Sequence, residues 1–168
     1  MPDLNTVRAS APAGVVIVET LEFLHDSFPS PIRLVNDFAA FDATLEATAP
    51  EDASTEVSFE ASRFALVLPR AGDAGTETID ITISNVDQVA SDYLQIAMDN
   101  PGPITVIYRI FLSTDTSGPA EDPPTRLTLD SAIATATEVV AKARNSDNIN
   151  RKFPSINYNI YDHPGLSR

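Results

Sequence analysis

The sequence has no cysteine and only two histidines. The first absence excludes disulfides, thiolate metal sites, iron–sulfur clusters and cysteine nucleophiles together, and leaves the redox compartment open. Positive charge is also scarce: 11 Lys and Arg stand against 24 Asp and Glu, a formal net charge of −13. Gripping nucleic acid needs lysine and arginine in excess, so this balance speaks against a nucleic-acid-binding protein. Docking on anionic lipid is disfavoured for the same reason. No stretch approaches the roughly 18 apolar residues of a membrane span. Met1 to Gly14 holds one basic residue and no apolar run, so it does not read as a secretory signal peptide. What remains is a soluble, acidic domain.

At 168 residues, with 43% hydrophobic and 21% charged residues, the chain is sized and composed for one domain. Such a chain buries about 70% of its unfolded surface, enough for an ordinary core. Residues 1–14 are small, polar and proline-bearing, and predict an extended arm that orders only against a partner. Residues 15–144 then read as a β-rich domain. Val15, Ile17, Leu21 and Phe23 fall on one side of a strand in which Glu19 breaks the alternation. A short strand follows at Ile32 to Val35, and Val57, Phe59 and Ala61 alternate again. Thr44 to Thr55 reads as a loop or a weak edge strand. Phe64 to Leu68 and the Ile79, Ile81, Ile83 run are separated by a glycine-bearing loop and predict a hairpin.

One helix is expected near residues 86–99, with Asn85 as N-cap and Gln88 completing a capping box. Val86, Val89, Ala90, Tyr93, Leu94 and Ala97 give it one apolar face, and Asn100-Pro101-Gly102-Pro103 stops it. Ile104 to Leu112 predicts a central strand. In Leu127 to Arg144 the alanines favour helix, with 131–144 open to either, but the threonines and Val139–Val140 favour a further strand. Extended, that last stretch would put Ile133, Thr135, Thr137, Val139 and Ala141 on one side. Residues 145–168 read as a second extended arm, laid across a surface and anchored by Phe153, Tyr158 and Tyr161. The expected fold is mainly β, sandwich- or barrel-like, with one packed helix.

Chemistry-bearing patterns are few. His25 adjoins Asp26 and His163 adjoins Asp162, but adjacent residues on a strand do not face one another. No H-x-x-x-H or H-E-x-x-H spacing supports a metal site, and none is expected. Asp115-Thr116-Ser117-Gly118 approaches the active-site turn of aspartic proteases, yet Ser117 intervenes before the glycine. That chemistry also needs a second carboxylate. Gly72-Asp73-Ala74-Gly75 is too short for a calcium loop. Arg151-Lys152-Phe153 has too few charges for a nucleic-acid patch and reads as a packing anchor. Nucleophile-elbow, Walker and dinucleotide-binding signatures are missing, so neither a cofactor nor an enzymatic activity is expected.

The order of motifs carries more than any one of them. Glu22-Phe23-Leu24-His25-Asp26-Ser27-Phe28-Pro29 is followed by Ile32-Arg33-Leu34-Val35-Asn36-Asp37. Then come Phe64 to Pro69, the Ile81 to Val86 strand, Asn150-Arg151-Lys152-Phe153-Pro154 and His163-Pro164-Gly165-Leu166. This succession, from about Leu21 to Leu166, resembles a family of small tail-tip proteins of tailed phages (siphophages), encoded downstream of the tape-measure protein. The resemblance implies a tail-tube-like fold and a structural virion component, a distal-tail ring or a hub adaptor, made in the host bacterial cytoplasm. It implies partners of two kinds: copies of itself in a ring, sixfold rather than threefold, and the tail tube, tape measure and hub or central fibre. It brings no catalytic, metal or cofactor residue. It marks His25, Phe28, Pro29, Arg33, Asn36, Asp37, Arg151, Phe153, Pro154, Tyr158, Tyr161, His163, Gly165 and Leu166 as fold or interface positions. The rival expectations are a small hydrolase or protease acting at the tail tip and an acidic host-interaction adaptor.

Overall fold

The computed structural model describes residues 4–67, 78–84, 89–100 and 102–145. Two helices, α1 (Leu4–Ser10) and α2 (Val89–Asp99), accompany nine strands. The strands are β1 (Ile17–Leu24), β2 (Ile32–Val35), β3 (Phe41–Thr44), β4 (Glu56–Ala61), β5 (Phe64–Val67), β6 (Thr78–Ser84), β7 (Thr105–Leu112), β8 (Thr125–Ala134) and β9 (Glu138–Asn145). They form one mixed sheet in the order β3-β4-β2-β1-β7-β8-β9-β6-β5. Among the described residues only the β2–β4 pair is parallel; the other ladders are antiparallel. The fold is mainly β, as the alternating patterns predict.

β1 and β7 lie side by side at the middle of the sheet and are buried on both faces. On one face Leu21, Phe23, Val106, Ile110 and Leu112 join Ile79, Ile81, Ile83, Ala141 and Ala143 in the larger apolar core. On the other, Val18 and Phe111 meet Val35, Val57 and Phe59 in a smaller one. The sheet curls as a barrel does. Ile32 and Leu34 of β2, Ile83 of β6 and Val139 of β9 line one cavity of about 40 Å³, and α2 closes it with Tyr93 and Leu94. Strands far apart in sheet order therefore meet across a shared interior.

Three expectations need correction or division. Residues 4–10 are helical rather than extended, and Leu4 and Val7 are buried in the larger core. Their spacing of three puts them on one helix face, and packing supplies what a seven-residue helix cannot supply alone. Leu127 to Arg144 is two strands, not one: Thr135 and Glu138 close a tight turn through the Thr135 N–H and hydroxyl. The turn breaks the assumed phase, so Ile133 faces solvent while Val139 and Ala141 face the core. Thr44 to Thr55 divides, its first residue ending β3 and the remainder forming a loop.

α2 starts among the described residues at Val89, and Asn100 caps its end by donating from Nδ2 to the Ile96 carbonyl (3.2 Å). The expected cap at Asn85 and Gln88 lies outside the described residues, as does the expected arm beyond Asn145. Among the described residues no helix is long and apolar enough to cross a membrane.

Candidate functional site

β1 carries two acids, Glu19 and Glu22, and β7 one base, Arg109; Glu22 and Arg109 are buried. In register, Arg109 lies opposite Thr20, so Glu22 is its diagonal neighbour on the same face. Arg109 is 1% exposed and Glu22 fully buried. Arg109 Nη1 donates to Glu22 Oε2 at 2.7 Å, while Nε and Nη2 grip the two oxygens of Glu46 at 2.8 and 3.0 Å. The second Glu22 oxygen accepts from Arg33 Nε at 2.8 Å, and Arg33 Nη2 reaches Asp52 at 2.6 Å. Five charged groups thus form one chain, Asp52–Arg33–Glu22–Arg109–Glu46.

Burial opposes charge on Glu46, but the hydrogen bonds and positive field of Arg109 hold its carboxyl below the ordinary range. Burial likewise opposes the Arg109 cation, and Glu46 and Glu22 outweigh it, raising the guanidinium's pKa. Each oxygen of Glu22 and Glu46 is engaged by a guanidinium. The ion chain pins the loop after β3, through Glu46 and Asp52, onto the sheet. Arg126 adds a bond from Nη2 to the Thr48 carbonyl at 2.7 Å.

A second cluster forms where β1 turns toward β2. His25 Nδ1 accepts from the Ser27 N–H (3.2 Å) and pairs with the Ser27 hydroxyl (2.6 Å). Its Nε2 is buried and has no hydrogen-bond partner among the described residues, and a Cβ on Gly102 would lie 2.9 Å from it. A side chain at Gly102 would therefore displace the imidazole. Phe28 stacks against His25 (5.2 Å) and edge-on against Tyr93 of α2 (5.0 Å), tying the turn to the helix.

The expected positions thus separate by role. Arg33 enters the ion chain, His25 and Phe28 form the aromatic contact with α2, and Pro29 is exposed in the same turn. Asn36 fixes the start of the next loop, its N–H and Nδ2 both donating to Glu19. Tyr108 also donates to Glu19, at 2.9 Å, and burial together with that bond raises the phenol's pKa. Asp37 accepts the Phe38 N–H at 2.6 Å, leaving Phe38 exposed beneath the Arg63 guanidinium (5.1 Å). Arg151, Phe153, Pro154, Tyr158, Tyr161, His163, Gly165 and Leu166 lie outside the described residues. Glu22, Glu46 and Arg109 were not marked by the motifs. The available signal was a base, Arg109, set within the otherwise uncharged β7, and an acid, Glu22, flanked by Leu21 and Phe23 in β1.

Asp115 closes a turn, accepting from the Ser117 N–H (3.1 Å) and hydroxyl (2.6 Å). Those two bonds hold its carboxyl below the ordinary range. Among the described residues no three His, Asp or Glu side chains gather as metal ligands.

Fold and site together define a curled, mainly β domain whose buried charges clamp a loop to the sheet. The chain belongs to the family described as "Domain of unknown function (DUF1833)", whose profile matches residues 4–158. Comparison with curated proteins finds no match.

Proposed function

We propose that this chain is a structural, non-catalytic part of a tailed-phage tail tip, a distal-tail ring or hub adaptor around the DNA channel. The observation that carries the structural half is the closed ion chain: its buried carboxylates are all committed to guanidinium partners. A part that must hold its shape under load gains from an arrangement that fixes geometry in this way. The location at the tail tip is supported by the resemblance in motif order from Leu21 to Leu166. The net charge of −13 fits a channel lining that lets DNA slide without sticking.

The contacts of such a part are with copies of itself, in a sixfold or threefold ring, and with the tail tube, tape measure and central hub. A closed ring follows from one repeated head-to-tail contact. Mass spectrometry of purified infectious particles tests the proposal. The chain is expected in them, at a copy number that is a multiple of three. Its absence from fully infectious particles would overturn the reading.

A further inference from the structure

We infer that residues 46–54, the loop joining β3 to β4, form a hinged strap that lifts off the sheet while the rest of the fold stays intact. The ion chain is its latch, and lifting it uncovers the buried guanidinium of Arg109.

The strap is closed on itself. β3 and β4 pair as far as Thr44 and Glu56, and the Leu45 N–H donates to the Thr55 carbonyl at 3.0 Å. That neck holds the two ends of the strap together, as in an Ω-loop. Inside it, the Ala49 and Ser54 N–H groups donate to the Glu46 carbonyl at 3.1 and 3.4 Å. The Thr55 N–H donates to the Asp52 carbonyl at 3.0 Å. Asp52 and Ser54 take left-handed φ values, 51° and 56°, which turn the chain back toward the neck. Among the described residues no backbone hydrogen bond ties residues 46–54 to another element. The loop after β7 is different. Its Ser113 and Ala120 N–H groups donate to the Val16 and Ile110 carbonyls, and its Thr116 carbonyl accepts from Thr44. That loop is sewn to its neighbours through backbone, and the strap is not.

Little apolar surface holds the strap down. Within it only Glu46 and Ala49 are buried, and Leu45 belongs to the neck. One alanine methyl is a weak hold beside the Val35, Phe59 and Phe111 side chains of the same core. The other ties are three arginines on three strands: Arg109 of β7 to Glu46, Arg33 of β2 to Asp52, and Arg126 of β8 to the Thr48 carbonyl. Such bonds fix geometry, but water replaces them once it reaches the pair. The Asp52 side chain is 47% exposed, so water already stands at that end of the latch.

The ion chain also divides cleanly. Glu22 stays on the sheet with one oxygen on Arg33 and the other on Arg109. No buried carboxylate is left unpaired there. The strap carries Glu46, Glu51 and Asp52 with it into water, where an unpaired acid costs nothing. Arg109 Nε and Nη2, which Glu46 receives in the closed form, are left to water. This face of the molecule therefore changes from acidic to basic as the strap lifts.

The lack of cysteine makes the test direct. Ala49→Cys puts a thiol on the buried side of the strap, and Ala143→Cys puts one in the larger core. Labelling of each full-length variant is followed at neutral pH across low urea concentrations. Ala49→Cys should label about tenfold faster than Ala143→Cys or more, at a rate nearly independent of urea, whereas Ala143→Cys should follow global unfolding. Adding Glu46→Gln or Asp52→Asn should raise the Ala49→Cys rate by about tenfold, the worth of one charge-assisted bond. A thiol is bulkier than a methyl, so the unsubstituted chain supplies a second probe. The Arg109 Nε–H donates to Glu46, and its solvent exchange, read by NMR, should show the same indifference to urea. Equal labelling rates and equal urea dependence at the two cysteines would overturn the inference, because the strap would then leave only with the whole fold. Arg109 Nε–H exchange that tracks global unfolding overturns it as well. Fast labelling at Ala49→Cys that neither Glu46→Gln nor Asp52→Asn changes would mean a loose loop with no ionic latch, and that too contradicts it.

Discussion

β1 and β7 build two interiors from one alternation, and the two differ in what holds them. On the larger side, Leu21, Phe23, Val106 and Ile110 pack against apolar side chains from strands that curl back to meet them. On the smaller side, Val18 and Phe111 share the face with Thr20, Glu22 and Arg109. The first interior is covered by regular elements, which present continuous apolar faces. The second is covered partly by the loop after β3, which brings only Leu45 and Ala49 into the core. A loop with so little to bury needs another source of position, and Glu46 and Asp52 provide it through Arg109 and Arg33. Apolar burial is non-directional, whereas a bidentate ion pair specifies geometry.

The comparison breaks most sharply at its charged centre. Arg109→Met leaves Glu22 and Glu46 facing one another without that cation, and a loss of about 3–5 kcal/mol is expected in chemical denaturation. A loss under about 1 kcal/mol would mean that water enters and the clamp is not closed. On the apolar side Leu21→Ala should cost about 2–5 kcal/mol, mostly through the cavity it leaves. Leu94, on the partly buried face of α2, should cost less as Leu94→Ala, about 1–2 kcal/mol. Equal losses at Leu21 and Leu94 would place the helix at the centre of the core rather than over its opening.

Acid separates the two sides without a core truncation. The carboxyl of Glu46 titrates lower in the folded chain than its ordinary value of 4.5. Its contribution is therefore present above pH 4.5 and is lost as pH falls from there through the folded value. Melting temperature should drop over that window, and Glu46→Gln should flatten this part of the profile. An unchanged acid slope in Glu46→Gln would remove Glu46 from the account. The smallest effect is expected at Asp115→Asn, which alters only an exposed turn. Its melting temperature should match the parent's, and particles carrying it should remain infectious.

Regular strands were the legible part of the sequence. Ile79, Ile81 and Ile83 alternate without interruption because one face of β6 is core and the other is not. β7 was legible as central because Ile, Val, Tyr and Phe fill both of its faces. Where legibility failed, the information was not local. Leu4 and Val7 are two apolar residues in a polar stretch, and only a prebuilt core makes a helix of them. The turn between β8 and β9 has no Gly, Asn or Pro; the Thr135 hydroxyl stabilises it instead, so no turn signal marked it. Pairing of Glu46 with Arg109 spans 63 positions and appears only once the loop is folded over the sheet. Arg33 was singled out by motif order, and its chemistry became visible only beside Glu22.

Electron cryomicroscopy of the intact particle tests the structural role most directly. Density at the tail tip should accept this curled nine-stranded sheet, repeated in a closed ring around the channel. A complete tail-tip map in which no copy of the fold can be placed would contradict the account.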